Sequence, residues 1–298
     1  MDSETSATLS CKAGSASTLT PSLKSIDDLI IIKYVDPITN TNRTHFLFVT
    51  EQDEVFFGRA SKDTKEMTLD EYANALRHVP DAALFPEVPE DRPLSIAVDD
   101  KSSYFCKRAG LLQYEPELNT GTPKQVLDET LIMELLSKHP HPNIIHYHGC
   151  RVRRGRITAI LLEKHAKTLV QFVSHPSFES LDQDAFLTAL ESAVDHLHSL
   201  GLAHNDINPY NIMINKNNMP VLIDFGSCQP FGKYLQTFGS PGWVEEDFRT
   251  SEKKHDIFAL GKLRQWLHKA KSMDSVGEED SVQVEELVKA EHPVKAEL

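Results

Sequence analysis

Cysteine is scarce. The four in 298 residues (Cys11, Cys106, Cys150 and Cys228) are scattered, with no CxxC pair, which argues against a disulfide framework and for a reducing compartment. An excess of positive charge is missing too. Lys and Arg number 31 against 44 Asp and Glu, for a net charge of −13, so no global basic field exists to attract nucleic acid or an anionic membrane surface. Long apolar runs are also lacking: the longest, "LIIIKYV" at 29–35, is short and contains a lysine. With no basic stretch followed by an apolar one at the amino terminus, no signal peptide or membrane span is expected. The expectation is a soluble intracellular protein, cytoplasmic or nuclear, with no nucleic-acid or membrane partner.

What is present suffices for a sizeable core. Hydrophobic residues make up 40% and charged residues 25% of the chain, in keeping with one large domain or two lobes with tails. Residues 1–25 are mostly Ser, Thr, Ala, Lys and Gly and read as a disordered tail. "DLIIIKYVD" and "RTHFLFVT", separated by "PITNTN", read as strand, turn, strand; "EVFFGRA" is a third strand. Leu69, Tyr72 and Leu76 recur at helical spacing behind Thr68, a candidate cap. "FPEVPEDRP" breaks regular structure and sets a boundary near residue 90, after which "LSIAV" and "SSYFCKRA" read as short strands.

The next helix begins at Thr122-Pro123, where Gln125 completes a capping box. Val126, Glu129, Ile132, Met133 and Leu136 share one face. A carboxylate in an apolar stripe is costly unless something pairs it. After "HPHPNIIHYHG" comes the apolar strand "ITAILLE", then a helix with Phe186, Leu190, Val194 and Leu197 inward and Gly201 as its stop. A hairpin follows whose second strand, "VLIDFG", ends at Asp224. The last helix runs from Asp256 to about Leu267, with Ile257 among its apolar residues, and the chain beyond 270 reads as an acidic flexible tail.

Between the long helix and the hairpin lies "GLAHNDINPYNIMIN". Asp206 and Asn211 stand in the pattern HxDxxxxN, and Asp224 opens "DFG". Phosphoryl transfer from a nucleotide uses such a set: one carboxylate orients the attacking hydroxyl, and an amide with a second carboxylate holds Mg²⁺ against the phosphates. A lysine must also neutralise phosphate charge, and a helix-borne glutamate must hold that lysine. Lys107, after "YFC", ends a strand in the right place, with Lys101 and Lys124 as competitors. Glu129 is the candidate glutamate, with Glu134 as its competitor. The histidines His139, His141, His146 and His148 with Cys150 allow a soft-metal reading, but the prolines among them favour a structural one. Cys228 reads as a small apolar residue.

These residues carry a resemblance to the eukaryotic protein kinase domain. "HPHPNII" is similar to the family's "HPNIV", "GSPGWVEED" to the end of its activation segment, and "HDIFALG" to its "DxWSxG". "LLEKH" resembles the hinge, which places Leu162 as gatekeeper and Glu163 as first hinge residue. Asp256 would accept hydrogen bonds from the backbone around His204. Kinase-like open reading frames of filamentous fungi share "HNDINP" and a short C-terminal half. The resemblance covers about residues 95–270.

It implies an α+β, two-lobed fold, with a small antiparallel β-sheet N-lobe carrying one regulatory helix and a truncated, mainly helical C-lobe. On that reading residues 26–90 are a β-rich extension, 91–165 the N-lobe, 166–270 the C-lobe and 271–298 the tail. It also implies ATP and Mg²⁺ as cofactors and transfer of phosphate to Ser or Thr of a protein substrate. Lys107, Glu129, Leu162 and Glu163 would serve ATP, Asn211 and Asp224 the metal, and Asp206 and Asn208 catalysis.

Three departures temper the activity. No glycine lies between Gly58 and Gly110, so the glycine-rich phosphate loop is missing or replaced. Asn208 stands where Ser/Thr kinases carry a lysine, and Asn205 where an arginine receives an activation-loop phosphate. Much of the helical subdomain that docks peptides is expected to be absent. A pseudokinase binding module is the alternative. Aminoglycoside- and choline-type small-molecule kinases share "HND", but usually lack a DFG together with "GSPGW" and the "DxFxLG" helix.

Overall fold

The computed structural model describes residues 21–274 except 22, 36–40, 61, 98–103, 109–110, 112–113, 115, 117–120, 238 and 246–248. Most of both expected tails, and Lys101, lie outside the described residues.

Residues 29–79 form an antiparallel sheet of β1 (Leu29–Val35), β2 (Asn42–Val49), β3 (Val55–Arg59) and β4 (Arg77–Val79), paired in that order. Alternation along the strands sends side chains to both faces. Phe46 and Phe56 meet Tyr72 of helix α1 (Leu69–Ala75), while Leu47, Val55 and Phe57 pack with Leu84 and Phe85, at and just beyond the end of the short helix α2 (Asp81–Leu84). Thr68 caps α1 in a reciprocal box with Glu71. Both faces of this sheet are therefore buried in apolar layers.

A second sheet, ordered β5-β7-β6, is built from β5 (Tyr104–Lys107), β6 (Tyr147–Arg153) and β7 (Arg156–Glu163). Arg154 and Gly155, with φ of 50° and 73°, join β6 to β7. Positive φ at both central positions is the type I′ turn, whose twist matches that of the flanking strands. "LSIAV" supplies an isolated bridge, Ile96 to Cys150, instead of the expected strand. Cys150 N donates to Ser95 O at 2.7 Å, and Ala97 N to Cys150 O at 3.0 Å.

Helix α3 (Thr122–Lys138) follows, but without the expected capping box. Its cap is Gly121, in the left-handed region and lacking a side chain, which makes Thr122 the first helical residue. Then come β8 (Lys167–Thr168), α4 (Leu169–Phe172), α5 (Gln183–Ser199), β9 (Leu202–Ala203), β10 (Ile212–Ile214), β11 (Pro220–Leu222), β12 (Gln229–Pro230) and α6 (Lys253–Asp274). The main core gathers Phe186, Leu190, Val194 and Leu197 of α5 with Leu222, Leu263 and Leu267.

Strand β11 stops at Leu222, short of Asp224, because Asp224 takes φ 63° and leaves the ladder. Helix α6 starts earlier and runs longer than expected. Its buried stripe is Ala259, Leu263, Leu267 and Ala270; Ile257 lies off it and is exposed. Lys269 and Lys271 lie on the exposed face and so do not end the helix. Together the two sheets, α3 and the helical half make the α+β, two-lobed arrangement. Among the described residues no helix is long and apolar enough to cross a membrane.

Gly149 is where the 95–97 segment comes closest to β6. Its φ is 113°, and a Cβ there would meet Ser95 O at 2.5 Å and Ala97 N at 2.8 Å. Gly155 has positive φ but open space around it. Gly149→Ala should cost about 3 kcal/mol or more in urea unfolding, combining backbone strain with overpacking. Gly155→Ala should cost only about 1 kcal/mol.

Candidate active site

Strand β5, helix α3 and the turn after β11 converge on one ammonium. Lys107 Nζ donates to Glu129 Oε1 at 2.5 Å and to Asp224 Oδ1 at 2.8 Å. Glu129 is buried in the α3 face. Burial alone would lower the Lys107 pKa, but the Asp224 and Glu129 charges outweigh it and hold it above the ordinary lysine value, so the group is an ammonium. Burial pushes the Glu129 carboxyl up, against the pull of Lys107.

The competing residues are engaged elsewhere. Glu134 accepts from Ser95 N at 2.6 Å, Ser95 Oγ at 3.0 Å and Tyr147 Oη at 2.9 Å. Lys124 pairs with Asp128 one turn along the exposed face of α3. Leu162 is buried at the end of β7, opposite Tyr147 and Phe105, and exposed Glu163 follows it, its N bonded to His146 O at 2.9 Å.

The loop after β9 is a network of amides around one carboxylate. Asp206 Oδ1 accepts from Ser240 N at 2.8 Å and Asn208 Nδ2 at 3.0 Å; Oδ2 accepts from Asn211 Nδ2 at 2.9 Å. Asn208 is fully buried, and its Oδ1 accepts from Tyr210 N and Asn211 N. It therefore works as a cap that seats Asn211, a role that substitution for a lysine does not suggest. Asn205 takes φ 64°, a region Asn tolerates better than most residues. Its Nδ2 donates to Ala203 O, Ser227 O and Ser251 Oγ, tying the loop to the segment after Asp224.

Asp256, at the start of α6, holds this loop by its backbone. It accepts from His204 N at 2.9 Å and Asn205 N at 2.8 Å, and also from His198 Nε2 at 2.9 Å. His204 Nε2 lies 3.0 Å from Ile223 O, and its Nδ1 accepts from Asp206 N. These contacts imply the neutral ring with its proton on Nε2. Ile223 N in turn bonds to Asn211 O at 3.0 Å, which sets Asn211 beside the Asp224 turn. Sequence reasoning missed His198 and Ser240. A buried histidine one helix away and a backbone donor from a later loop leave no spacing signal.

The "HPHPNII" segment is stitched to β11. Asn143 Nδ2 donates to Pro220 O, Ile145 N to Leu222 O and Leu222 N to Asn143 O. The histidines fall into ring pairs, His141 with His196 and His146 with His148. Cys228 is buried in the main core.

This ordered geometry coincides with a family match: residues 96–291 fit the family described as the protein kinase domain. The chain belongs to the protein kinase family. The β1–β4 sheet precedes the matched region. This kinase domain is 27% identical over 120 residues to the MAP kinase kinase kinase win1 of Schizosaccharomyces pombe, covering 40% of this chain and 8% of that protein. It is 34% identical over 111 residues to the serine/threonine-protein kinase/endoribonuclease IRE1 of Hypocrea jecorina, covering 34% and 9%. It is 31% identical over 154 residues to the probable serine/threonine-protein kinase MARK-A of Dictyostelium discoideum, covering 49% and 14%. The chain thus spans a small fraction of the length of these relatives.

Lys107 and Lys124 should behave differently. Lys107→Ala leaves Glu129 buried beside Asp224 with no cation between them and should cost about 3 kcal/mol in chemical unfolding. Lys124→Ala breaks only an exposed pair and should cost less than about 0.5 kcal/mol.

Proposed function

We propose that this domain is an ATP-dependent kinase that phosphorylates Ser or Thr hydroxyls of a protein substrate, with Mg²⁺ at Asn211 and Asp224. The observation that carries the reading is Lys107 bridging Glu129 and Asp224 while Asp206 is held by the amide of Asn211. The donor set fits the ion. Glu129, Lys107 and Asp224 together carry one net negative charge, and the Asp224 side chain is 35% exposed. Asn211 spends its Nδ2 on Asp206, which leaves the amide oxygen to a cation. One carboxylate and one amide oxygen suit Mg²⁺, which completes its shell with waters and phosphates.

Mg·ATP, when bound, supplies the electrophilic phosphorus and the charge neutralisation between its phosphates. Lys107 binds phosphate oxygens, and Glu129 keeps its ammonium on station. Leu162 and the backbone at Glu163 line the nucleotide's base. Asp206 orients the substrate hydroxyl through the carboxylate that Ser240, Asn208 and Asn211 fix, and takes up its proton as the bond to the γ-phosphorus forms and the bond from that phosphorus to the bridging oxygen breaks, releasing ADP. Asn208 serves this step by holding Asp206 and seating Asn211.

A second reading, a pseudokinase that binds partners without turnover, is favoured by the lack of glycine between Gly58 and Gly110 and by the neutral amide at 208. Saturating Mg·ATP, at a hundred times its Kd, should stabilise the domain by about 2.7 kcal/mol. A melting curve left unmoved overturns the nucleotide reading. Asp206→Asn should reduce γ-phosphate transfer to a peptide library about 100-fold with ATP affinity nearly unchanged. Transfer insensitive to that change, or no transfer by the unaltered protein, sinks the enzyme reading in favour of the binding module.

A further inference from the structure

Among the contacts between the β1–β4 sheet and the kinase fold is one fully buried carboxylate. Asp53, in the turn between β2 and β3, has φ 59° and no exposed surface. Its Oδ1 accepts from Arg108 Nη2 at 2.9 Å, Arg108 Nε at 3.2 Å and Arg151 Nη1 at 3.2 Å. Its Oδ2 accepts from Thr158 Oγ1 at 2.8 Å and Arg151 Nη1 at 3.3 Å. Arg108 follows β5, Arg151 lies on β6 and Thr158 on β7, so one side chain ties together all three strands of the kinase sheet. Burial alone would push the Asp53 carboxyl up. The Arg108 and Thr158 hydrogen bonds and the two guanidinium charges outweigh it and hold the pKa below the ordinary carboxylate value.

Arg108 is the neighbour of Lys107. Successive side chains of an extended segment face opposite ways, so the backbone that aims Lys107 at Glu129 and Asp224 aims Arg108 at Asp53. Leu111 and Tyr114 are buried in the apolar layer of the β1–β4 sheet, Tyr114 edge-on to Phe57 at 5.6 Å between centroids. Helix α2 of that unit packs against α3, the helix of Glu129. The strand of the lysine and the helix of its glutamate therefore rest on one body.

We propose that Asp53 is a positioning residue for Lys107, acting through Arg108, and that the β1–β4 sheet is a built-in brace for the Lys107–Glu129 pair. The functional meaning of the brace rests on the kinase reading above; its physical test does not. A natural control exists. Arg156 of β7 donates from Nη1 to Phe85 O at 2.8 Å and from Nη2 to Glu87 Oε1 at 2.8 Å, joining the apolar layer of the β1–β4 sheet to β7 through neither Asp53 nor Arg108.

The experiment is lysine acylation by an amine-reactive ester on the full chain, well below the melting temperature, with labelling of Lys107 read by mass spectrometry against exposed Lys124. Asp53→Asn and Arg108→Gln should each raise the Lys107-to-Lys124 ratio about tenfold, within the range for coupled contacting residues. Arg156→Ala should lower the thermal midpoint yet leave the ratio unchanged. A ratio unmoved in Asp53→Asn and Arg108→Gln, or raised equally by Arg156→Ala, overturns the proposal. Arg108 is partly exposed, so Arg108→Gln decides the matter should Asp53→Asn fail to fold. Mg·ATP affinity, measured in parallel, should weaken in the same two variants and not in Arg156→Ala. If the unaltered protein binds no Mg·ATP, the functional reading falls while the labelling still decides whether Asp53 positions Lys107.

Discussion

Lys107 holds its charge between Glu129 and Asp224, residues 22 and 117 positions away in the chain. Most of the architecture can be understood as what such a contact requires. A cation taken largely out of water is tolerable only with partners at hydrogen-bonding distance. Strand β5, helix α3 and the turn after β11 must therefore meet within a few ångströms. The β5–β7 pairing sets the lysine, the apolar face of α3 sets the glutamate, and the left-handed backbone of Asp224 turns its carboxylate out of the ladder toward both. Gly226 follows closely. A Cβ on it would come to 3.3 Å from Asp224 Oδ1 and 3.7 Å from Glu129 Oε2, so a side chain there would crowd the Asp224 carboxylate and lie in contact with that of Glu129.

The second carboxylate centre works by the opposite means. Asp206 has no cation against it in residues 204–211, which contain neither lysine nor arginine; amides and a backbone N–H hold it. Neutral donors in a fixed frame cost little reorganisation when charge develops, but they add no net positive charge. The frame itself is anchored from outside, since Asp256 accepts two backbone N–H groups of the loop and a histidine from α5. One buried acid thus fixes the loop that carries another.

Much of this was legible in the residues and some was not. The spacing of Asp206, Asn211 and Asp224, and the anomalous charge of Glu129 in an apolar stripe, pointed to the cluster because chemistry constrains residue type there. The helix of Phe186 to Leu197 was legible from its period, since burial writes itself into such a pattern. Local signals misled at Thr122, where a capping pattern lay one residue inside a helix begun by Gly121, and at Ile257, where apolar character did not mean burial. Asp53 was invisible. A lone aspartate in a polar turn looks solvated until tertiary structure brings Arg108, Arg151 and Thr158 around it, and no sequence period records a contact between residues 55 to 105 positions apart.

The asparagine-rich loop and the β1–β4 brace belong to one physical problem. A phosphoryl-transfer site must offset several negative charges, and the loop of Asn205 and Asn208, with neither lysine nor arginine at 204–211, brings no such cation to the cluster. The protein's own positive charge at the cluster is then concentrated in Lys107. Coulombic attraction falls with distance and rises as water is excluded, so a site with one such ammonium depends more steeply on where that ammonium sits than a site with three. No glycine between Gly58 and Gly110 means that no glycine-rich backbone precedes β5 to share the load. Support from a folded sheet behind β5, gripping the residue next to Lys107 and the helix of Glu129, answers that dependence. The cost of the arrangement is a buried aspartate with two arginines, a group that is stable only while the two bodies stay docked.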